Sequence, residues 1–331
     1  MRKVILDVDT GTDDAIAVMA AVQAQDLELV ALCTVHGNIG VAYTTINTLR
    51  AAYAAGGREV PVYAGAAEPM VKDISPQRRQ PVAEPVLSGT TQINGVEVAM
   101  NPMLLPLPDR PKGKEEKPAP FFYVDYLRST QEKVTIVLTG TLTNLALALV
   151  MAPEITENID EIVIMGGGIR KSNITASAEA NFFKDPEAAA TVISCGAPVT
   201  ICTLDATHSS SQTEAHEEKI RAVGTPAAIF TANDIRVRRE SYNRYQPLER
   251  RNTAPIHDAL CIAYLASPAV AVRWEMACCD VDCASGISEG ALQWDTRYFH
   301  GTPNVKLILE ANADILCETL TDIFRKGASA E

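Results

Sequence analysis

Apolar runs of strand length alternate with helical patterns from the first residues of the chain. The run KVILDV precedes a helical pattern over residues 13–23, and LELVALCTV precedes a second one over residues 41–55. The same order returns with KVTIVLT, IDEIVIMGGG and PVTICTLDA, which are separated by the helical segments LTNLALALVMA and DPEAAATVISCG. Strands that are apolar on both faces and are connected by helices predict an α/β fold with a mainly parallel central sheet flanked by helices, similar to the Rossmann fold.

We expect one large domain that spans residues 1–331. The alternation fails from about residue 68 to residue 120, where Pro, charged and turn residues dominate. This stretch is predicted to be a long loop excursion, either a functional lid or a mobile surface segment. A second polar stretch, residues 233–255, contains RVRRESYNRYQPLERRN and predicts a solvated basic helix. Ligands bind at the carboxyl ends of the strands in such sheets, so the polar residues after each strand are the candidates for an active site.

The charge balance argues against several classes of partner. Lys and Arg total 29 against 41 Asp and Glu, and the net charge of −12 disfavours nucleic acid or an anionic membrane as the main partner. A small neutral or cationic ligand, or a metal, fits this charge better. The N-terminal segment lacks a secretory apolar run, and no later run has the length and apolar character to cross a bilayer. The eight cysteines lie mostly in apolar segments, so we expect reduced thiols and a cytoplasmic protein.

Four carboxylates fall within eight residues near the start of the chain. Asp7 and Asp9 lie on one face at the end of the first predicted strand, and Asp13 and Asp14 begin the helix that follows. The positive end of a helix stabilises a carboxylate by only about 1 kcal/mol, which is too little for four crowded acids. Hard divalent cations such as Ca²⁺ and Mg²⁺ prefer several carboxylate ligands, so the cluster favours a metal site over a simple helix cap.

Polar residues also follow the other predicted strands. HGN, GTLTN and GGG each come directly after a strand, and the loop SNITASAEANFFKDPEAA comes next. Near the end of the second polar stretch, APIHDAL places His257 and Asp258 at the start of a helix. The set contains acids, amides and one histidine, without a Ser or Cys nucleophile in a recognisable setting. Such residues suit a polyhydroxylated ligand that is bound through a metal and amide groups.

In this order and spacing, the blocks resemble the inosine-uridine preferring nucleoside hydrolases, which cleave the N-glycosidic bond of ribonucleosides. The resemblance covers essentially the whole chain: the N-terminal DxDxGxDDA block, HGN, TGTLTN, MGGG, SNITASAEANFFKDPEAA, the late HD pair and DVDCASGISEGALQWDTR. It implies that the chain hydrolyses a small ribonucleoside to free base and ribose, through a calcium-bound water that Asp9 activates. It also implies a homodimer or a homotetramer.

The resemblance further implies a role for each matching residue. Ca²⁺ would be bound by Asp9, Asp14, Asp258 and the backbone carbonyl of Thr139, with Asp7 supporting these acids from behind. The ribose would be contacted by Asp13, Asn38, Asn173, Glu179 and Asn181. The leaving base would be contacted by Tyr242 and Tyr245, three residues apart on one helix face, and protonated by His257 as the general acid.

Departures from the family pattern bear on substrate choice. Thr10 occupies a position that is usually Pro, the excursion has no histidine where the His257-bearing branch has a second one, and Ala180 stands where some members carry a bulky aromatic residue.

Two other functions stay open at this stage. One is a ribonucleoside-binding protein without turnover, and the other is a metal-dependent phosphohydrolase whose phosphate would need the cations of RVRRESYNRYQPLERR.

Overall fold

The apolar runs form the strands of one central sheet. A computed structural model describes residues 1–57, 59–78, 90–93, 96–297 and 301–327. The strands are β1 (Arg2–Val8), β2 (Leu27–Thr34), β3 (Val62–Ala64), β4 (Thr90–Ile93), β5 (Val96–Ala99), β6 (Val134–Leu138), β7 (Ile159–Met165), β8 (Val199–Cys202), β9 (Ala271–Val281), β10 (Leu292–Asp295) and β11 (Val305–Ala311). Within the described ranges, nine of them form a sheet in the order β10-β9-β11-β8-β7-β6-β1-β2-β3, and β4 and β5 form a separate hairpin.

Helices cover both faces of this sheet. They are α1 (Thr12–Gln23), α2 (Val41–Ala54), α3 (Ala119–Ser129), α4 (Thr143–Met151), α5 (Ala180–Lys184), α6 (Pro186–Ile193), α7 (Leu204–Ser209), α8 (Glu214–Arg221), α9 (Pro226–Tyr245), α10 (Ala259–Ala266) and α11 (Ala313–Gly327). Short 3-10 helices lie at Lys72–Ile74, Pro153–Asn158 and Pro268–Val270. None of the helices in the described part of the chain combines the length and the apolar character needed to cross a bilayer.

The strand order places a crevice at one edge of the sheet. The strands from β3 through β1, β6 and β8 to β11 pair in parallel, and β9 and β10 extend the sheet in antiparallel pairing, which confirms the predicted mainly parallel α/β fold. The chain leaves β1 toward β2 on one side, whereas β6 pairs with the other side of β1. Ligands bind where the strand order reverses in this way. The crevice therefore lies at the carboxyl ends of β1 and β6.

Each face of the sheet buries its own apolar core. Val4, Leu6 and Val8 of β1 belong to one core, and Ile5 belongs to the opposite core. Successive side chains of a strand point to opposite faces, so full burial of both sets places β1 in a middle layer between two layers of helices. The loops that carry the site residues therefore start from the ends of fully buried strands.

The excursion between about residues 68 and 120 lacks the α/β alternation, as the sequence predicts, but its first part is packed against the domain. Lys72 and Arg78 are buried, and both form ion pairs with Glu289. The predicted lid or mobile segment falls in part on residues 79–89 and 94–95, which lie outside the described residues. After the hairpin, the chain returns to the carboxyl edge of the sheet at Met100 and Asn101.

Candidate active site

A pocket opens at the carboxyl edge of the sheet, at the point where the strand order reverses. It contains about 520 Å³ of space not filled by atoms, part of it open to solvent. Its walls are formed by Asp9, Asp13, Asn38, Met100, Asn101, Thr139, Met165, Asn173, Glu179, Ala180, Asn181, Arg238, Tyr242, Gln246, His257 and Asp258. Most of the residues singled out in the sequence are thus brought together in one place.

Asp9 follows β1 and is held by the HGN motif. The backbone N–H of Asn38 donates to Asp9 Oδ2 at 2.6 Å, and the side-chain amide of Asn38 donates to Oδ1 at 3.3 Å. A Cβ atom at residue 37 would lie 1.8 Å from Asp9 Oδ2, so Gly37 is needed for the backbone to approach this closely. The HGN motif therefore orients the Asp9 carboxylate with two hydrogen bonds.

Asp14 is fixed at the start of α1. Its Oδ2 accepts a hydrogen bond from the N–H of Gly11 at 3.0 Å, and its Oδ1 accepts one from the hydroxyl of Thr139 at 2.8 Å. The residue is completely buried. The turn after β1 and the loop after β6 thus hold one carboxylate between them.

Three carboxylates converge beside Asp9. Asp13, Asp14 and Asp258 are buried, and each presents an oxygen within 4.8 Å of the oxygens of the other two. Burial raises the pKa of Asp14 and of Asp258 well above the usual range, and the neighbouring carboxylates, Asp9 among them, raise it further. Asp9 lies outside the triad itself. An anionic donor set made only of oxygen fits a hard divalent cation, so the acidic cluster is suited to hold a metal ion.

The basic stretch was predicted to be a solvated face, and this prediction was wrong for Arg238. Arg238 is only 3% exposed, and its Nη2 donates to Asp13 at 2.5 Å and to Thr12 Oγ1 at 2.8 Å. Its Nε donates to Asp234 at 2.8 Å. Burial lowers the pKa of the guanidinium, but the charges of Asp13 and Asp234 outweigh this effect and raise it. The protein thus supplies one buried cation to its own acidic cluster.

The SNITASAEANFFKDPEAA block contributes Asn173, Glu179, Ala180 and Asn181 to the pocket wall. Glu179 caps α5, because its carboxylate accepts hydrogen bonds from the N–H groups of Gly167, Asn181 and Phe182. Burial raises the pKa of Glu179 to about 7. The Asn173 side chain accepts from the N–H of Ala180 at 2.9 Å.

Asn181 connects this block to the loop after β6. Its amide donates to the carbonyl of Thr139 at 2.7 Å and to that of Met165 at 3.1 Å. The Thr139 carbonyl, a predicted metal ligand, thus already accepts one hydrogen bond, and a carbonyl oxygen has a second lone pair for another partner.

His257 lines the pocket next to Asp258 in the chain, and both of its ring nitrogens have hydrogen-bond partners. Nε2 pairs with the Tyr242 hydroxyl at 2.9 Å, and Nδ1 pairs with Thr207 Oγ1 at 2.8 Å. Burial lowers the pKa of His257 well below its usual value, so the ring is neutral near pH 7. Tyr245 ends α9, is 44% exposed and does not line the pocket. Tyr242 is therefore the tyrosine that α9 brings to the site.

Asp7 lies behind the pocket. Its carboxylate accepts hydrogen bonds from the Tyr123 hydroxyl and from the side-chain amide of Asn144, both at 3.0 Å. Burial raises the pKa of Asp7 to about 7. These contacts connect the first strand to α3 and α4, on the face of the sheet opposite α1.

Several pocket residues were not predicted. Arg238 and Gln246 lie on or next to α9 within the stretch interpreted as solvated, and Met100 and Asn101 come from the excursion. Only Met165, the last residue of β7, carries the strand-end signal that could have identified it.

Fold and pocket together define an α/β enzyme whose acidic, amide-lined site is able to hold a metal ion. The chain belongs to the inosine-uridine preferring nucleoside hydrolase family, whose model matches residues 4–318. This confirms the resemblance found in the sequence, and it makes the chain an enzyme that hydrolyses ribonucleosides.

Individual relatives agree with the assignment. The chain is 33% identical over 298 residues to the inosine-uridine preferring nucleoside hydrolase of Leishmania major, covering 90% of this chain and 88% of the relative. It is 36% identical over 269 residues to the pyrimidine-specific ribonucleoside hydrolase RihA of Shewanella woodyi, covering 81% and 80%. Its structure is similar to that of the purine-preferring ribonucleoside hydrolase from Gardnerella vaginalis, with a TM-score of 0.81, 27% identity and coverage of 98% and 99%.

Proposed function

We propose that the chain hydrolyses the N-glycosidic bond of ribonucleosides to free base and ribose with Ca²⁺ as its cofactor, held by Asp9, Asp14, Asp258 and the Thr139 carbonyl. The observation that carries the proposal is the convergence of the three buried carboxylates of Asp13, Asp14 and Asp258 beside Asp9. Like charges at this spacing need a counter-ion of high charge, and Arg238 supplies only one positive charge. When bound, the calcium ion supplies a Lewis acid that lowers the pKa of water.

Asp9 is the general base in this proposal. Two hydrogen bonds from Asn38 orient its carboxylate. Burial raises the pKa of Asp9, and the Lys184 ammonium and the Asn38 N–H act in the opposite direction. A carboxylate with a raised pKa takes a proton from water more readily than a surface carboxylate does. The water oxygen then bonds to the anomeric carbon while the C–N bond breaks, and the electron pair of that bond leaves with the base.

The ribose is bound by the acids and amides around the pocket. We assign this role to Asp13, Asn38, Asn173, Glu179 and Asn181, which all line the pocket. Carboxylate oxygens accept hydrogen bonds from sugar hydroxyls, and amides can both donate and accept. The same carboxylates stabilise the positive charge that develops on the ribose ring as the C–N bond breaks.

The leaving base lies toward His257 and Tyr242 in this proposal. Because the His257 ring is neutral near pH 7, it has no acidic proton to give, and we assign it the role of orienting the Tyr242 hydroxyl, its Nε2 partner, toward the base. We assign the contact with the base to Tyr242 rather than to Tyr245, since only Tyr242 lines the pocket. Asp7 keeps its predicted supporting role behind Asp9. Assembly into homodimers or homotetramers and a cytoplasmic location stay predictions.

A phosphohydrolase is disfavoured by the charges of the pocket. Arg238 is the only Lys or Arg among the described residues of its lining, and Arg238 is already paired with Asp13 and Asp234. A phosphate group would meet several buried carboxylates there without a free cation.

The test is release of base and ribose from a panel of inosine, adenosine, uridine and cytidine, each beside its 2′-deoxy counterpart. Chelation should abolish release, and Ca²⁺ should restore it. Loss of the 2′-hydroxyl should lower kcat/KM by at least about 10²-fold, because contacts to this hydroxyl contribute several kcal/mol in glycosidases. Turnover that is insensitive to chelation would exclude the calcium role. Tight binding of calcium and ribose without base release would favour the non-catalytic binding protein.

Stabilisation by calcium should increase with pH. The folded-state pKa values of Asp14 and Asp258 lie above their unfolded value of about 4, so the metal-free protein loses stability as pH rises through the folded values. Calcium binds the ionised carboxylates and removes this loss. The increase in melting temperature on adding Ca²⁺ should therefore be larger at about pH 8 than at about pH 5.5. An equal increase at both pH values would contradict the assignment, and Asp258→Asn should reduce the difference.

A further inference from the structure

Both ring nitrogens of His257 are already hydrogen-bonded to the protein, so the ring has no free nitrogen for a hydrogen bond to the departing base. Nε2 is paired with Tyr242 and Nδ1 with Thr207. Tyr242 also lines the pocket, but its hydroxyl is itself occupied by the histidine. Another donor in the pocket would meet the negative charge that develops on the base as it leaves.

Arg238 has such a donor. Its Nε and Nη2 are used by Asp234, Asp13 and Thr12. Its Nη1 donates to no residue in the part of the chain that the structure describes, and Arg238 lines the pocket. The acids on either side hold the planar guanidinium in one orientation, so Nη1 is a pre-oriented donor.

Arg238 is close both to a residue of the proposed ribose site and to a residue assigned to the base. Arg238 and Tyr242 are one turn apart on α9 and share a face of that helix. Asp13, which Arg238 contacts, belongs to the proposed ribose site. The guanidinium thus contacts a group assigned to the ribose, and it belongs to a residue one helical turn from a group assigned to the base.

We propose that Arg238 is a catalytic residue for base departure, with Nη1 donating a hydrogen bond to a nitrogen or oxygen of the base that gains electron density. This inference rests on the proposed function. The C–N bond breaks with its electron pair going to the base, the water proton goes to Asp9, and Arg238 keeps all its protons. The base then leaves as an anion hydrogen-bonded to the guanidinium, and it takes a proton from solvent.

The charges around Arg238 allow this role without repelling the cationic ribose. Arg238 carries one positive charge, and Asp13 and Asp234, both within hydrogen-bond distance, carry two negative charges. The cluster of Arg238, Asp13 and Asp234 therefore has a net negative charge. A directed hydrogen bond to the base is thus combined with a local charge that favours the positive ribose ring.

The experiment compares two leaving groups in the Arg238→Gln enzyme. One substrate is a ribonucleoside, inosine or uridine, whose base is a poor leaving group. The other is p-nitrophenyl β-D-ribofuranoside, whose nitrophenolate leaves readily without help. We expect kcat to fall by about 10²-fold for the nucleoside, as for loss of one pre-oriented donor, and by less than about 5-fold for the nitrophenyl riboside. Arg236→Gln, an exposed arginine of the same helix, is the matched control and should change neither rate.

Equal losses with both substrates would overturn the proposal and leave Arg238 as a residue that only positions Asp13. Added guanidinium ion should partly restore nucleoside hydrolysis in Arg238→Gln, and absence of rescue together with equal losses would confirm the purely positional role. If Arg238→Gln does not fold, Arg238→Gln/Asp234→Asn removes one charge of each sign and should give the same difference between substrates. If the unaltered enzyme cleaves neither substrate, the proposed function fails rather than this inference.

Discussion

Replacing Asp9 with Asn is expected to lower kcat for ribonucleoside hydrolysis by about 10³-fold, within the range seen when a general base is removed. An amide cannot take a proton from water at neutral pH. The substitution keeps the size of the side chain and one oxygen, so Asn38 loses at most one of its two hydrogen bonds to residue 9. The remaining oxygen can still be a metal ligand. The effect should therefore appear mainly in kcat.

Steady-state kinetics at saturating Ca²⁺, with calorimetric titration of Ca²⁺, checks this prediction. Asp26→Asn is the control, because Asp26 is an exposed acid between α1 and β2. Activity within about tenfold of the unaltered enzyme would rule out Asp9 as the base. Recovery of full activity at higher Ca²⁺ would mean that Asp9 acts only as a metal ligand.

The meeting of distant acids at one edge of the sheet could be predicted from the sequence. Asp9 and Asp14 flank the turn after an apolar strand, and Asp258 begins a late helix next to His257. Parallel strands place all their carboxyl ends at the same edge, so local patterns were sufficient to bring these residues into one pocket. The same reasoning predicted the mainly parallel sheet.

Burial of charge within a polar stretch could not be predicted in the same way. RVRRESYNRY has the composition of a solvated helix, and Arg238 is buried only because Asp13, 225 residues earlier in the chain, meets it. Similarly, Tyr242 and Tyr245 are only three residues apart, but Tyr245 is the last residue of α9 and is exposed. Tertiary contacts, which no local pattern encodes, decided these cases.

The sequence of the excursion, residues 68–120, was the least informative about structure and site. Its Pro-rich composition indicated only a loop, yet Met100 and Asn101 form part of the pocket wall. Thr12 at the start of α1 donates to the backbone carbonyl of Met100 at 3.2 Å. Contacts of this kind depend on where a long connection returns to the domain, which composition does not determine.

Four charged side chains attach the start of the excursion to the rest of the domain. Glu289 Oε1 pairs with Lys72 Nζ at 3.2 Å and with Arg78 Nε at 3.0 Å, and Arg78 Nη1 pairs with Glu187 at 2.5 Å. Lys72 also donates to the backbone carbonyl of Phe183 in α5, the helix that contains Asn181. Two cations and two anions thus balance each other in a largely buried cluster.

Glu289→Gln is therefore expected to lower the free energy of unfolding by about 3 kcal/mol, because removal of one anion leaves two buried cations with only Glu187 as counter-charge. Gln keeps the size of the side chain and one acceptor oxygen, so the loss reports on charge rather than on packing. Urea unfolding, monitored by circular dichroism in the presence of Ca²⁺, measures it.

Glu154→Gln is the matched control for this prediction. Glu154 pairs with Arg128, and both side chains are more than half exposed, so removal of this anion should leave the free energy of unfolding almost unchanged. The difference in unfolding free energy between the two variants isolates the effect of burial, since each variant removes a carboxylate charge that is paired with an arginine. Equal changes in the two variants would show that water reaches the cluster around Glu289 and that the ion pairs there do not hold the excursion against α5.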